Sequence, residues 1–122
     1  MDEQVTQAEL PGQNGYLGVL PGHAPLLSAL GAGVLTYSTG GGTEVLAIDG
    51  GFLEVLGDRV RVLAEHAEYA RDIQLEAARR ELEEASAKQE HARETEESEA
   101  LLRKVQKAQA RVDAAEKLAR RA

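Results

Sequence analysis

Any chemistry in this chain must come from three histidines, a set of early glycines and a run of late cations, because no cysteine supplies a thiolate or a disulfide. His23, His66 and His91 are isolated. Apart from neighbouring Glu, none has the His or carboxylate partners at three- or four-residue spacing that a helix-borne metal site requires. His23 is read as hydrogen bonding within its own loop. Gly12, Gly15, Gly18 and Gly22 suggest a phosphate-cradling loop, but no Gly-Lys-Ser/Thr follows and no long helix starts there, so strand turns explain them. No nucleophile stands beside a base and no carboxylate pair is set for a cleft, so the expectation is a protein without catalysis of its own. The cations Arg103, Lys104, Lys107, Arg111, Lys117, Arg120 and Arg121 are expected to solvate one helix face and to pair with the acidic segment before them.

The elements that carry these residues divide sharply. All 12 Gly and all 3 Pro lie at or before Gly57. The first part is therefore punctuated into short strands, and the second can be continuous helix. Candidate strands are Gln4 to Leu10, Tyr16 to Leu20, Val34 to Ser38, Glu44 to Ile48, Phe52 to Leu56 and Arg59 to Leu63. Turns are expected at Gly40-Gly41-Gly42 and Gly57-Asp58, and one helical turn over Leu26 to Leu30 after Pro25. In Arg59-Val60-Arg61-Val62 the two Arg share one face and the two Val the other, as in a half-buried strand. Asp72 is placed to cap a first helix with Ile73, Ala77, Ala78, Leu82 and Ala85 on one face, running to about Glu90. A turn follows near Glu94 to Ser98, with Thr95 or Ser98 as a cap. A second helix has Leu101, Val105, Ala108, Val112, Ala115 and Ala119 along one seam.

The fold class expected is α+β in two segments: an N-terminal antiparallel β-sandwich over residues 1–70, then a C-terminal antiparallel α-helical hairpin over residues 71–122. With 122 residues, three Tyr, one Phe and no Trp, the core rests on Leu, Val and Ala, and moderate stability is expected. The net charge of −7 argues against nucleic acid, which demands a concentrated basic face. Its distribution is uneven: residues 65–99 hold twelve acids and five bases, and residues 100–122 hold two acids and seven bases. An acidic helix beside a basic one attracts, although exposed pairs contribute only about 0–1 kcal/mol each. An alanine seam buries little area at about 25 cal/mol per Å², so the hairpin is expected to be poised between closed and open. No apolar run approaches the roughly 18 residues of a membrane span, and no leader opens the chain, so a soluble, unprocessed protein without membrane insertion is expected.

Gly15 to Leu30, GYLGVLPGHAPLLSAL, resembles the signature loop of the epsilon subunit of F-type ATP synthase, and Ile48 to Glu68, IDGGFLEVLGDRVRVLAEHAE, resembles that family's last two sandwich strands. The resemblance implies a compact sandwich of about ten strands and a non-catalytic rotor subunit. That subunit would bind the gamma subunit and the c-ring at the cytoplasmic face of the bacterial cell membrane. The family carries another strand before the position of Met1, so either the start is incorrect or truncated, which is the favoured expectation, or the sandwich has an unusual exposed edge. Its c-ring tip falls on Asn14, Gly15 and Tyr16, with His23 nearby. Its helices brake ATP hydrolysis by docking their cations on the catalytic beta subunit, with alpha beside it; here those are Arg103, Lys104, Lys107, Arg111, Lys117, Arg120 and Arg121. Some members hold a regulatory ATP through Ile/Leu-Asp-x-x-Arg-Ala and further Arg. This chain offers Leu75, Glu76 and Arg79 with Arg111 and Arg120, but Glu76 replaces the Asp and Arg80 the small Ala. Exposed charges that support the helix through i, i+4 pairing, such as Glu76 with Arg80, are the structural alternative. Two other readings compete: an adaptor module with a coiled-coil tail dimerising through Leu101 to Ala119, and a small enzyme built on the His23 loop.

Overall fold

The computed structural model describes residues 7–12, 15–19, 25–56, 59–91 and 96–121. Its strands β1 (Gln7–Gly12), β2 (Gly15–Val19), β3 (Leu26–Thr39), β4 (Gly42–Leu56) and β5 (Arg59–Tyr69) form one antiparallel sheet in the order β2-β1-β3-β4-β5. The expected turn at Gly40-Gly41-Gly42 is present: Thr39 pairs with Gly42, and the Gly41 N–H donates to Thr39 Oγ1 at 3.1 Å. Residues 57–58, the other expected turn, lie outside the described residues. Pro11, which has no N–H to give, sits where the β1–β3 register shifts between Glu9 and Gly12.

Two expectations for the strands are corrected. Leu26 to Leu30 is the start of β3 and not a helical turn: it pairs from Leu26↔Val55 to Leu30↔Gly51. That ladder satisfies backbone groups that an isolated turn would leave open. Glu44 to Ile48 and Phe52 to Leu56 are one 15-residue strand running through Gly50 and Gly51. The described sheet accordingly has five strands where the resemblance implied about ten, because the long strands pass through both layers.

Gly50 and Gly51 mark a crease. Before it, Val45, Leu46, Ala47 and Ile48 are all buried: Leu46 and Ile48 face the inner core, and Val45 and Ala47 face a second cluster on the outer side. After it, Leu53 and Val55 face inward while Phe52 and Leu56 are exposed. The inward set thus changes from even to odd positions. β3 makes the same change between Leu30 and Leu35, as does β5 between Ala64 and Tyr69. A strand alternates faces strictly, so such a change requires a local break in the pleat. Gly50 (φ +74°) and Gly51 (φ +125°) provide it in β4. The sheet folds over there, and its two halves enclose Leu10, Leu30, Leu35, Tyr37, Leu53 and Val55.

The chain leaves β5 through a short 3-10 turn, Ala70–Asp72, into α1 (Leu75–Glu90) and α2 (Glu96–Arg121). Arg71 pins this exit: it donates to Glu44 at 2.7 Å and stacks over the Tyr69 ring at 4.0 Å. Asp72 is not the helix cap. Burial of Ile73 in the outer cluster holds that residue extended and moves the helix start on, making Gln74 the N-cap. Ser98 lies inside α2, so it caps nothing; Thr95 is outside the described residues. The seam holds at Ala108, Val112 and Ala115, which are buried, and Leu101 and Val105 are half-buried. Ala119 is exposed, because Glu116 already faces Arg79 near the start of α1 and little of α1 remains to cover the next turn.

A second buried stripe, Ala110 and Ala114, was not foreseen. At roughly 100° per residue it lies about 120–160° around α2 from the seam. It serves a second neighbour: α2 lies directly on β3 and β4, and α1 packs on α2. Small side chains let α2 approach Val34, Val45 and Ala47 closely. Replacing Ala114, which is 0% exposed, with leucine is therefore expected to push α2 off the sheet at a cost of about 1–3 kcal/mol. Hydrogen exchange should show α2 amides losing protection while those of β3 and β4 retain theirs.

Candidate functional site

The hairpin is held by charge as well as by alanine. Arg111 sits on α2 between the seam and the Ala110–Ala114 stripe, so its side chain reaches both neighbours. Its Nε donates to Glu68 Oε2 at 2.9 Å and its Nη2 to Glu68 Oε1 at 3.2 Å, a two-pronged bond to β5. Its Nη1 donates to Glu81 of α1. Hydrogen bonding to Glu68 raises the Arg111 pKa above its usual value against the opposing effect of burial, and the charges of Glu68 and Glu81 add to the rise. On the other flank of the seam, Arg79 donates to Glu116 at 3.4 Å, and Arg120 approaches the same carboxylate at 3.9 Å.

These positions settle where the residues read from the sequence fall. Of Leu75, Glu76, Arg79, Arg111 and Arg120, two meet on Glu116, Arg111 is taken by Glu68 and Glu81, Leu75 is half-buried against the outer cluster, and Glu76 is exposed. A cleft of about 250 Å³ between the sheet and α2 is lined by Asp49, His66, Glu68, Lys107 and Arg111 among others, so only Arg111 of the five borders it. Arg80, which stands for the small residue of the nucleotide motif, is exposed, whereas Ala78 is buried. Of the cations on α2, Arg103, Lys104, Lys107, Arg120 and Arg121 are exposed, Lys117 is half-buried, and Arg111 is the one engaged by two other elements. Asn14 and His23 lie outside the described residues; Gly15 and Tyr16 open β2 opposite Gly12 and Pro11. No group of His, Asp or Glu suited to a metal ion occurs among the described residues.

Reading the sequence alone missed the acidic partners Glu68, Glu81 and Glu116; the charge blocks were the only signal for them. It also missed a bare face. The hairpin covers the outer side of one half of the sheet, but beyond the crease Leu27, Phe52, Leu56 and Leu63 stand 57–71% exposed on the outer side of the other half. Phe52 lies directly opposite Leu63, and beside them Leu27, Glu54 and Arg61 form one cross-strand row. The nearly unbroken apolar run Phe52-Leu53-Glu54-Val55-Leu56 was its signal, since a strand covered on one face alone would alternate.

Residues 1–70 match the family model described as ATP synthase, Delta/Epsilon chain, beta-sandwich domain. The chain belongs to this family. It is 57% identical over 81 residues to the ATP synthase epsilon chain of Solibacter usitatus, an alignment covering 66% of this chain and 60% of the relative. It is 48% identical over 84 residues to the epsilon chain of Carboxydothermus hydrogenoformans, covering 69% and 63%. The chain thus spans about 60% of the length of these curated relatives. Among solved structures it is similar to a chain in the cryo-EM structure of the Euglena gracilis mitochondrial ATP synthase, OSCP/F1/c-ring in rotational state 1, with a TM-score of 0.70 and 26% identity over 96% of this chain and 69% of the other. A match over so much of the chain extends beyond the sandwich of this family member into its helices. No helix among the described residues is long and apolar enough to cross a membrane.

Proposed function

We propose that the chain is a rotor subunit of a proton-translocating F-type ATP synthase. Its sandwich grips the gamma subunit and rests on the c-ring, and its helical hairpin restrains ATP hydrolysis. It sits peripherally, on the cytoplasmic face of the bacterial membrane, and makes no ATP itself. The observation that carries this reading is the division of the outer sheet face. One half is sealed by the protein's own hairpin, and the other presents Leu27, Phe52, Leu56 and Leu63 to a partner. Monomeric proteins seldom expose large contiguous apolar patches without using them. The likeness to a chain in an F1/c-ring assembly supports the gamma shaft as the occupant of that face and Asn14, Gly15, Tyr16 and His23 as the residues that meet the c-ring.

The hairpin alternates between the docked state seen here and a released state in which Arg103, Lys104, Lys107, Arg111, Lys117, Arg120 and Arg121 meet acidic groups of the catalytic subunits. In the docked state Arg79, Arg111 and Arg120 have counter-charges in Glu116, Glu68 and Glu81, which supports docking without a bound nucleotide. The test is deletion of everything after Arg71, assayed in the assembled complex. Assembly and coupling are expected to persist while ATP hydrolysis rises severalfold; unchanged hydrolysis would show that the helices do not act as a brake. The adaptor reading requires the Leu101 to Ala119 seam to be free for a second copy. Its centre, Ala108, Val112 and Ala115, is buried within the chain.

A further inference from the structure

We propose that the ion triad Glu68–Arg111–Glu81 is the latch of the hairpin: one guanidinium sets the balance between the docked and released states and makes that balance follow ionic strength. The latch deepens the brake reading above and rests on it for its physiological meaning. Among the described ion pairs, only those of Arg111 join α2 to both β5 and α1. The pair Arg79–Glu116 ties the two helices to each other and would survive if the hairpin left the sheet as a unit. A guanidinium is a planar fork with donors on two edges, so Arg111 holds two carboxylates in fixed directions where a lysine would offer a point charge.

Removing that fork does more than delete an attraction. Glu68 and Glu81 are drawn together by the cation between them, and Asp49 lines the same cleft. Without Arg111 they become neighbouring negative charges with Lys107 and His66 as the other basic groups on the cleft wall. The apolar contacts that oppose release are rich in alanine on the helices, Ala78, Ala110, Ala114 and Ala115, with buried Val112 and half-buried Leu82 and Leu118 as the larger members. A seam of small side chains gives the charges an unusual share of control. The Arg111 side chain is 23% exposed, against 53% for Arg79. The cation of the triad is therefore more sheltered than that of the neighbouring pair, while Glu68 and Glu81, 38% and 56% exposed, leave it open enough for salt to weaken it.

The test uses the full chain carrying spin labels at Gly40→Cys, in the exposed turn of the sheet, and Gln106→Cys, on the exposed side of α2; there are no native cysteines to interfere. Distance distributions should show one dominant docked population at low ionic strength. Arg111→Ala is expected to raise the released-to-docked ratio about tenfold. Glu68→Gln should have a larger effect than Glu81→Gln because it breaks the two-pronged bond, leaving one acceptor oxygen where there were two, and Arg111→Lys should fall between wild type and Arg111→Ala. Added salt should move wild type toward Arg111→Ala and move that variant slightly the other way, by screening the repulsion among its carboxylates. Should Arg111→Ala lose its sandwich by circular dichroism, Glu81→Gln and Arg111→Lys carry the comparison. Equal released populations for wild type and the variants at every ionic strength would overturn the latch. A variant that releases its hairpin without altering hydrolysis in the assembled complex would leave the latch standing and remove the brake.

Discussion

Gly51→Ala is expected to cost on the order of 4 kcal/mol or more, placing it among the severest single substitutions this fold can receive. Gly51 holds φ at +125°, a conformation that side chains with a Cβ rarely adopt, and an added Cβ would lie 2.1 Å from the Leu63 carbonyl oxygen. The obstacle is backbone, in the strand paired with Gly51 through Ala64, so no rotamer change relieves it. β4 and β5 would have to part at the crease, or the crease would have to flatten. Flattening would turn Leu53 and Val55, 0% and 1% exposed, out of the core they share with Leu46 and Ile48. Against total stabilities of about 5–15 kcal/mol, the variant should melt far below wild type by circular dichroism. Gly40→Ala is the control: its Cβ meets nothing within 4 Å, and the change should stay within about 0.5 kcal/mol. Equal melting of Gly51→Ala and wild type would mean that the crease is not built this way.

Phe52→Glu combined with Leu63→Glu should have the opposite profile, with a large loss of association and a small loss of stability. Both side chains point outward, at 57% and 62% exposure, so the folded chain surrenders little buried area when they become charged. They stand directly opposite each other, and on a docked partner they would form the dry centre of the contact. Truncating such a central anchor typically costs at least about 2 kcal/mol, so the pair is expected to weaken the proposed contact with gamma by about three orders of magnitude. Two like charges placed opposite each other add a small intramolecular penalty of under about 1 kcal/mol. Co-purification with gamma, beside a melting curve, separates the effects: retained binding would assign the shaft to another face, and a collapsed melting temperature would show that the two residues are structural.

These two variants bracket the division between what local sequence shows and what it hides. The confinement of every Gly and Pro to the first 57 residues was enough to separate strand from helix. The Gly40 to Gly42 turn, the end of α1 at Glu90, and the seam at Ala108, Val112 and Ala115 were legible because turn chemistry and helical period are properties of neighbouring residues. The same locality misled at Leu26 to Leu30, where Pro25 suggested a helical turn and pairing with Gly51 to Val55, distant in sequence, made a strand. It misled again at Gly50-Gly51, where a Gly pair suggested a break between strands and the structure uses it to fold one strand across two layers.

For the site, the sequence by itself determined the stock of charges: an acidic stretch, then a basic helix lined by alanine. Only the tertiary structure decided that Arg111, of the seven cations after residue 100, bridges two elements, and that the second alanine stripe faces a sheet. It also left Phe52 and Leu63 outside while Val45 and Ala47, on the same outer side of the sheet, are covered. The physical reason is that a residue's period states which face it shares with its neighbours in sequence, but not what that face will meet. What it meets depends on how strands far apart in the chain pair and where the sheet turns back on itself, and both depend on the energy of the whole packed arrangement.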